Sequence, residues 1–318
     1  MKLPPLAVNN DIYNQLGERW YTAKDDPVAL LRAEAQCRDP WVVQIIRSHF
    51  KHAKIQALDV GCGGGFLSNR LAREGHYVTG IDLSEESLEV ARRYDPTRSV
   101  RYQSADVYSL PMSDCSFDVV CAMDFLEHVD RPEASIHEMS RVLKPGGLLF
   151  FHTFNRNPIA NFVVIKLVEW LVKNTPPQMH VSNLFIKPQE LEQFCRRSNL
   201  HVAEMRGLRP NLLSRSALKS IWTGSIEEGF NFVFVNSLLI SYCGYAKKLT
   251  DLGVNGEDCA EHHIQKARGE AREGSESQEK GTGEENPRED QEQAQGFSSP
   301  GNHEDSQEIS HVSRGRRQ

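Results

Sequence analysis

One stretch commits the chain to a narrow set of folds: Ala57-Leu58-Asp59-Val60-Gly61-Cys62-Gly63-Gly64-Gly65-Phe66, an apolar run that closes into glycines, with Leu67 to Glu74 resuming at helical spacing. Strand, glycine turn and helix in that order open a nucleotide-binding α/β unit. The glycines take up positive φ and let the backbone pass close to a ligand. The N-terminus of the following helix offers unpaired N–H groups to a carboxylate or a phosphate.

Three details narrow the ligand. Phe66 stands where a dinucleotide fingerprint would place its third glycine. Asp59 precedes the first glycine by two residues, within reach of a ligand ammonium group. A second strand, Tyr77 to Ile81, ends in Asp82, at the spacing of about 20 residues that suits an acid gripping ribose hydroxyls. Ammonium, carboxylate and ribose together describe S-adenosylmethionine (SAM) better than NAD.

The pattern elsewhere extends this unit. Asp11 to Trp20 and Val28 to Cys37 read as helices of an N-terminal segment, residues 1–40, rich in aromatics and arginine and placed as a cap over the sheet or a lid over the ligand. From Trp41 helix and strand alternate: a helix from Trp41 to Phe50, the central strand and its helix, the strand ending at Asp82, and a helix from Ser84 to Tyr94 with Ser84 as N-cap. Val100 to Gln103 and Phe117 to Met123 read as strands. Pro132 to Leu143 is helical and stops at Lys144-Pro145-Gly146-Gly147 before the strand Leu148 to His152. After an apolar insertion, 158–184, a helix runs to Ser198. His201 to Arg206 and Phe232 to Tyr245 are the last two strands, the second an antiparallel edge. The expected fold is α/β: a Rossmann-like, mostly parallel seven-stranded sheet with helices on both faces. Ligands of such sheets sit at the carboxyl ends of the strands, where Asp59, Asp82, Asp106 and Asp124 gather.

Within the insertion, Phe162 to Val172 is strongly apolar but shorter than the roughly 18 residues needed to span a bilayer. Lys166, Glu169 and Lys173 share one face, so it reads as a buried or an interfacial helix. The start, Met1-Lys2-Leu3-Pro4-Pro5, reads as no signal peptide. Seven scattered cysteines without a C-x-x-C pair read as reduced thiols of a cytosolic-type compartment. Charge is uneven. Residues 251–318 hold sixteen acids and eight bases, more than the whole net charge of -6, which leaves residues 1–250 at about +2. That tail, nearly free of aromatics, is expected to be disordered. A near-neutral body without a basic run argues against a nucleic-acid partner.

With these features the chain resembles class I SAM-dependent methyltransferases, and more closely the UbiG family, the O-methyltransferases of ubiquinone biosynthesis. The matching stretches are Gly17-Glu18-Arg19-Trp20-Tyr21, Leu58 to Gly65, Leu126-Glu127-His128-Val129, Phe151 to Asn157 and Phe185-Ile186-Lys187-Pro188. They cover roughly residues 10–248, so the methyltransferase domain is expected over 41–249, with nothing matching the tail from 250.

The resemblance implies SAM contacts at Arg38, Gly61, Asp82 and Met123, with Arg32 as the alternative to Arg38 for the methionine carboxylate. Class I architecture adds Asp106 toward the adenine, beside Asp59 and Gly63 of the turn. Asp124, Glu127 and His128 fall on one face of a helical turn, and the resemblance makes them a site for Mg²⁺ or another divalent cation, with Asp124 where the family usually has glutamate. Without a metal, Glu127 or His128 becomes the catalytic base. The implied reaction is methylation of a hydroxyl on a polyprenyl catechol or demethylated quinol. The implied setting is cytoplasmic and peripheral to the inner membrane, alongside other quinone-biosynthesis enzymes. The alternatives are a class I enzyme for another quinone or small phenol, and a SAM-binding protein with impaired catalysis.

Overall fold

The computed structural model describes residues 8–250 apart from 169–171 and 177. The acidic tail from 251 lies outside the described residues, as does part of the expected helix Phe162 to Val172.

The strands are β1 (Gln56–Val60), β2 (Tyr77–Asp82), β3 (Arg101–Ser104), β4 (Phe117–Met123), β5 (Leu143–Phe154), β6 (Leu200–Pro210), β7 (Phe232–Val235) and β8 (Ser241–Lys248). They form one sheet of order β3-β2-β1-β4-β5-β8-β6-β7. The first five pair in parallel, and β8, β6 and β7 are joined by antiparallel ladders. Among the described residues the sheet therefore has eight strands rather than seven. The apolar run Phe232 to Tyr245 hides a break at 236–240, and its two halves pair on opposite sides of β6.

Alternate residues of the central strands enter two separate cores. Leu58, Val120, Leu149 and Phe151 pack with Leu126, Ile136 and Met139 on one face. Ala57, Val119, Cys121 and Phe150 pack with Trp41, Ile46 and Leu71 on the other. Strands buried on both faces read as near-continuous apolar runs, which is why they were visible in the sequence.

The helices are α1 (Arg19–Thr22), α2 (Val28–His49), α3 (Phe66–Arg73), α4 (Glu85–Arg93), α5 (Pro132–Val142), α6 (Pro158–Ala160), α7 (Pro188–Arg197) and α8 (Arg215–Thr223). Three depart from expectation. The predicted helix Asp11 to Trp20 is a 3₁₀ turn at Asn10–Gln15 and the short α1, separated where Gly17 takes φ +49°. The helices expected on either side of Pro40 are one helix, α2. Proline removes the N–H that the Gln36 carbonyl would accept, but Gln36 and Pro40 are both exposed, so water can satisfy that carbonyl. The boundary expected at 40/41 thus falls inside a continuous helix. The third departure is α8, which no sequence signal suggested. After α6 the insertion continues as π-helical turns over Asn161–Leu167.

Among the described residues, Cys37, Cys62, Cys121, Cys195 and Cys243 are free thiols.

Candidate active site at the carboxyl rim

The turn after β1 is built as its glycines require: Gly61, Gly63 and Gly65 all take positive φ. The Cys62 N–H donates to the Ile81 carbonyl (3.0 Å) and the Gly63 N–H to Asp82 Oδ2 (2.9 Å). The other Asp82 oxygen accepts from the Ser84 N–H (2.9 Å). Asp82 thereby joins the glycine turn to the start of α4, where Ser84 caps the helix through the Ser87 N–H.

The N-terminal segment closes over this turn. Trp20 lies against Gly63 and Gly64, with its Nε1–H donating to Ser87 Oγ (3.1 Å). Tyr21 donates to the Gly64 carbonyl (2.8 Å) and stacks on Tyr94 at 3.7 Å between ring centroids. Arg32 donates to the Trp20 carbonyl (2.8 Å) and to that of Ala23, so its guanidinium serves the cover.

Between cover and sheet lies a cavity of about 500 Å³. Its walls include the sequence-predicted Gly61, Gly63, Asp82, Asp106, Met123, Asp124 and His128, joined by Asn10, Tyr13 and Trp20. Three expected residues are not on its walls. Asp59 is buried beneath the turn, accepting from Ser68 Oγ (2.6 Å), with burial pushing its carboxyl up to about 6. Arg38 and Glu127 belong to a buried cluster behind Asp124. A second hollow, about 550 Å³, adjoins the first across Tyr13 and is bordered by Leu16, Val28, Pro176 and Met179.

Asp124 is the pivot of the buried cluster. It follows the last residue of β4 with φ +55°, a left-handed conformation that aspartate tolerates better than most residues. Arg38 from α2 donates to both its oxygens, at 2.8 and 2.6 Å, and His152 from β5 donates through Nδ1 to Oδ1. Burial alone would raise the Asp124 carboxyl, but the Arg38 guanidinium and His152 override it and hold it far below the usual carboxylate range. Burial lowers the His152 pKa, and its Nε2 has no hydrogen-bond partner. Glu127 is fully buried with neither oxygen hydrogen-bonded, and burial together with the Asp124 charge pushes its carboxyl up to about 8. At neutral pH it is an uncharged acid.

The expected metal ligands do not converge. Among the described residues, the acids and imidazoles whose donor atoms lie within 4.8 Å of one another are Glu34, Asp124 and His152, not Asp124, Glu127 and His128. Both Asp124 oxygens already face the Arg38 guanidinium, which neutralises the site where a cation would sit. The residues present do not fit a divalent ion.

His128 places an imidazole on the wall. Its Nδ1 faces Asn10 Oδ1 (3.1 Å) and its Nε2 faces the Tyr13 hydroxyl (3.4 Å). Nδ1 therefore carries the proton and Nε2 is the acceptor. Burial lowers its pKa to about 4, leaving the ring neutral. His180, from the insertion, lies beside it with ring centroids 5.5 Å apart and packs edge-on against Phe154. Sequence reasoning missed His180, Asn10 and the closeness of Tyr13. None sits in a motif, and each reaches the site only through the cover or the insertion.

Residues 58–151 match the methyltransferase domain model. The chain is 37% identical over 207 residues to a ubiquinone biosynthesis O-methyltransferase of Azoarcus sp. (strain BH72), covering 64% of this chain and 86% of that one. A ubiquinone biosynthesis O-methyltransferase of Hahella chejuensis is 38% identical over 204 residues, covering 63% of this chain and 84% of the relative. The chain belongs to this O-methyltransferase family. It is a SAM-dependent methyltransferase with the Rossmann-like class I fold. The same fold recurs in a Thermotoga maritima SAM-dependent methyltransferase described as a possible histamine N-methyltransferase, at a TM-score of 0.50 and 19% identity, covering 74% of this chain and 98% of that one.

Proposed function

We propose that this methyltransferase acts on a phenolic hydroxyl of a prenylated catechol or demethylated quinol in ubiquinone biosynthesis. The observation that carries the reading is a neutral imidazole acceptor, His128 Nε2, on the wall of the same cavity as the glycine turn and Asp82. The cofactor fits this wall: Gly61 and Gly63 line it, with the Phe125 and Trp20 rings packed against them, Asp82 suits the ribose, and Asp106 and Met123 suit the adenosyl group. Bound SAM supplies a methyl group already activated as a sulfonium substituent.

The chain's own work is then alignment and proton removal. A phenol titrates near pH 10, so at neutral pH its oxygen is a weak nucleophile until the proton leaves. His128 Nε2 accepts that proton, and Asn10 fixes the tautomer by accepting from Nδ1. Tyr13, stacked on Trp20 at 5.7 Å, forms one wall of the acceptor space. The hollow beyond it gives room for the first part of a prenyl tail. Glu127 is not needed as base in this scheme, because its buried carboxyl does not line the cavity.

The acceptor is greasy, so the enzyme meets it at a bilayer. No helix of the described residues is long and apolar enough to cross a membrane, and a peripheral position on the inner membrane, with the cytoplasm on the protein's side, suits both facts. Other enzymes of quinone biosynthesis are natural neighbours there.

The test is transfer of radiolabelled methyl from SAM to a short-chain prenyl catechol, against a demethylated naphthoquinol and a simple soluble phenol. Preference for the prenyl catechol supports the reading. Methylation of the naphthoquinol or the soluble phenol alone would move the assignment to another substrate, and no transfer to any acceptor in a chain that binds S-adenosylhomocysteine would mark impaired catalysis.

A further inference from the structure

Helix α8 has its polarity turned inside out. The small residues Ala217 and Ser220 face the core, Ala217 packing with Ala33, Leu208, Phe230 and Phe232. Leu218, Ile221 and Trp222 face outward. Trp222 and Leu213, in the turn just before the helix, are each 91% exposed. A surface helix of a globular protein ordinarily buries its large apolar residues and shows polar ones. Large apolar side chains grouped on the surface mark a site of interaction.

The helix lies at the rim that carries the site. Strand β6 runs parallel to β5, both being antiparallel to β8: Ser241 of β8 pairs with Phe154 at the end of β5 and with Leu208 near the end of β6. Strand β6 therefore delivers α8 to the rim on which Asp124 and Met123 stand. The insertion leaves β5 at that same rim, and its Ile159 and Phe162 are also about half exposed. Backbone bonds join the pieces: Lys173 N–H to the Gly224 carbonyl (3.4 Å), Asn174 N–H to Asp25 (3.0 Å) and Ile226 N–H to Lys24 (2.5 Å).

Charge chooses the occupant. The segments around the stripe carry Lys24, Lys173, Arg209, Arg215 and Lys219 against Asp25, Asp26, Glu227 and Glu228, with Lys219 paired to Glu227 and both aspartates paired to Arg19. Exposed tryptophan and leucine flanked by an excess of basic residues is the chemistry of an interfacial element on an anionic bilayer. We infer that α8 and the turn before it dock this chain on an anionic membrane surface, with Trp222 and Leu213 entering the headgroup boundary and the rim of the cavity turned toward the lipid. This rests on the reading of a lipid-borne acceptor and assigns the contact to an element outside the apolar insertion.

The experiment uses the full chain with vesicles of phosphatidylcholine alone or with one-quarter phosphatidylglycerol. The chain has four tryptophans, and subtracting the spectrum of a Trp222→Phe variant isolates the response of Trp222 from those of Trp20, Trp41 and Trp170. With the anionic vesicles the Trp222 emission shifts to the blue and is quenched by brominated lipid. The double variant Leu213→Glu, Trp222→Glu co-sediments with those vesicles at least tenfold less than the parent, while its calorimetric affinity for S-adenosylhomocysteine and its turnover of a short-chain catechol are unchanged. The inference is overturned if the double variant co-sediments like the parent, if Trp222 emission ignores the vesicles, or if phosphatidylcholine alone binds equally well. Loss of a dimer in the double variant, without loss of vesicle binding, would assign the stripe to a second copy and overturn it too. Vesicle binding through Trp222 in a chain that ignores every catechol would instead count against the proposed substrate and leave the docking surface standing.

Discussion

Gly63 and Gly146 separate two costs that a glycine-to-alanine change usually mixes. Both have positive φ, +49° and +77°, but a Cβ on Gly63 would lie 2.6 Å from the Trp20 ring, whereas one on Gly146 meets nothing within 4 Å. Gly146→Ala should therefore cost only the left-handed backbone, about 1 kcal/mol. Gly63→Ala carries that cost plus the displacement of a packed ring, about 1–3 kcal/mol more by the usual scale of overpacking. The ring cannot yield freely, because Trp20 is held by Ser87 and covers the turn from above. Urea unfolding of the two variants and the parent reads the difference, and calorimetry with S-adenosylhomocysteine reads its consequence. Gly63→Ala should lose cofactor affinity as Trp20 is pushed from the cavity wall, and Gly146→Ala should keep it. Equal destabilisation of the two variants, or full affinity in Gly63→Ala, would refute the claim that Trp20 closes on the turn.

Arg38→Met leaves the Asp124 charge in the interior with His152 but without its guanidinium and should cost about 3–5 kcal/mol in urea unfolding; Asp124→Asn added to it should restore part of the loss, and no restoration would mean that the pair is not the unit of stability. His128→Asn should lower kcat on a catechol by about 10²–10⁴, the usual span for a positioned base, with affinity for S-adenosylhomocysteine unchanged; a loss of that affinity alone would make His128 a cofactor contact. Glu127 has a folded pKa of about 8 against an ordinary 4.5, so the unfolded chain ionises first and this group erodes stability as pH rises from about 4.5 to about 8. Glu127→Gln should match the parent near pH 4 and exceed it by about 3 kcal/mol at pH 7; curves that stay parallel across that range would show that the carboxyl is not held neutral.

The sequence was most legible where one local rule acts alone. The strand, glycine turn and helix at residues 56–73, the Ser84 cap and the proline-led starts of α5 and α7 all follow from nearest-neighbour chemistry. The break in Phe232 to Tyr245 did not, because both halves are apolar and only their partners across β6 divide them. Nor did α8 stand out, since it buries Ala217 and Ser220 rather than the large residues by which a helix is recognised. In the site, the wall residues at strand ends were readable because sheet topology fixes them. The roles of Arg38 and Glu127 were not: whether a charged side chain meets a ligand or another buried charge depends on contacts between α2, β4 and β5, distant in the chain.

Helix α2 continues unbroken through Pro40, carrying Arg32 to the cover at one end and Arg38 to Asp124 a turn and a half further on. The cover over the glycine turn and the buried Asp124 cluster therefore hang from a single support, and a change in the seating of that helix would be felt at the ceiling and at the back of the cavity together.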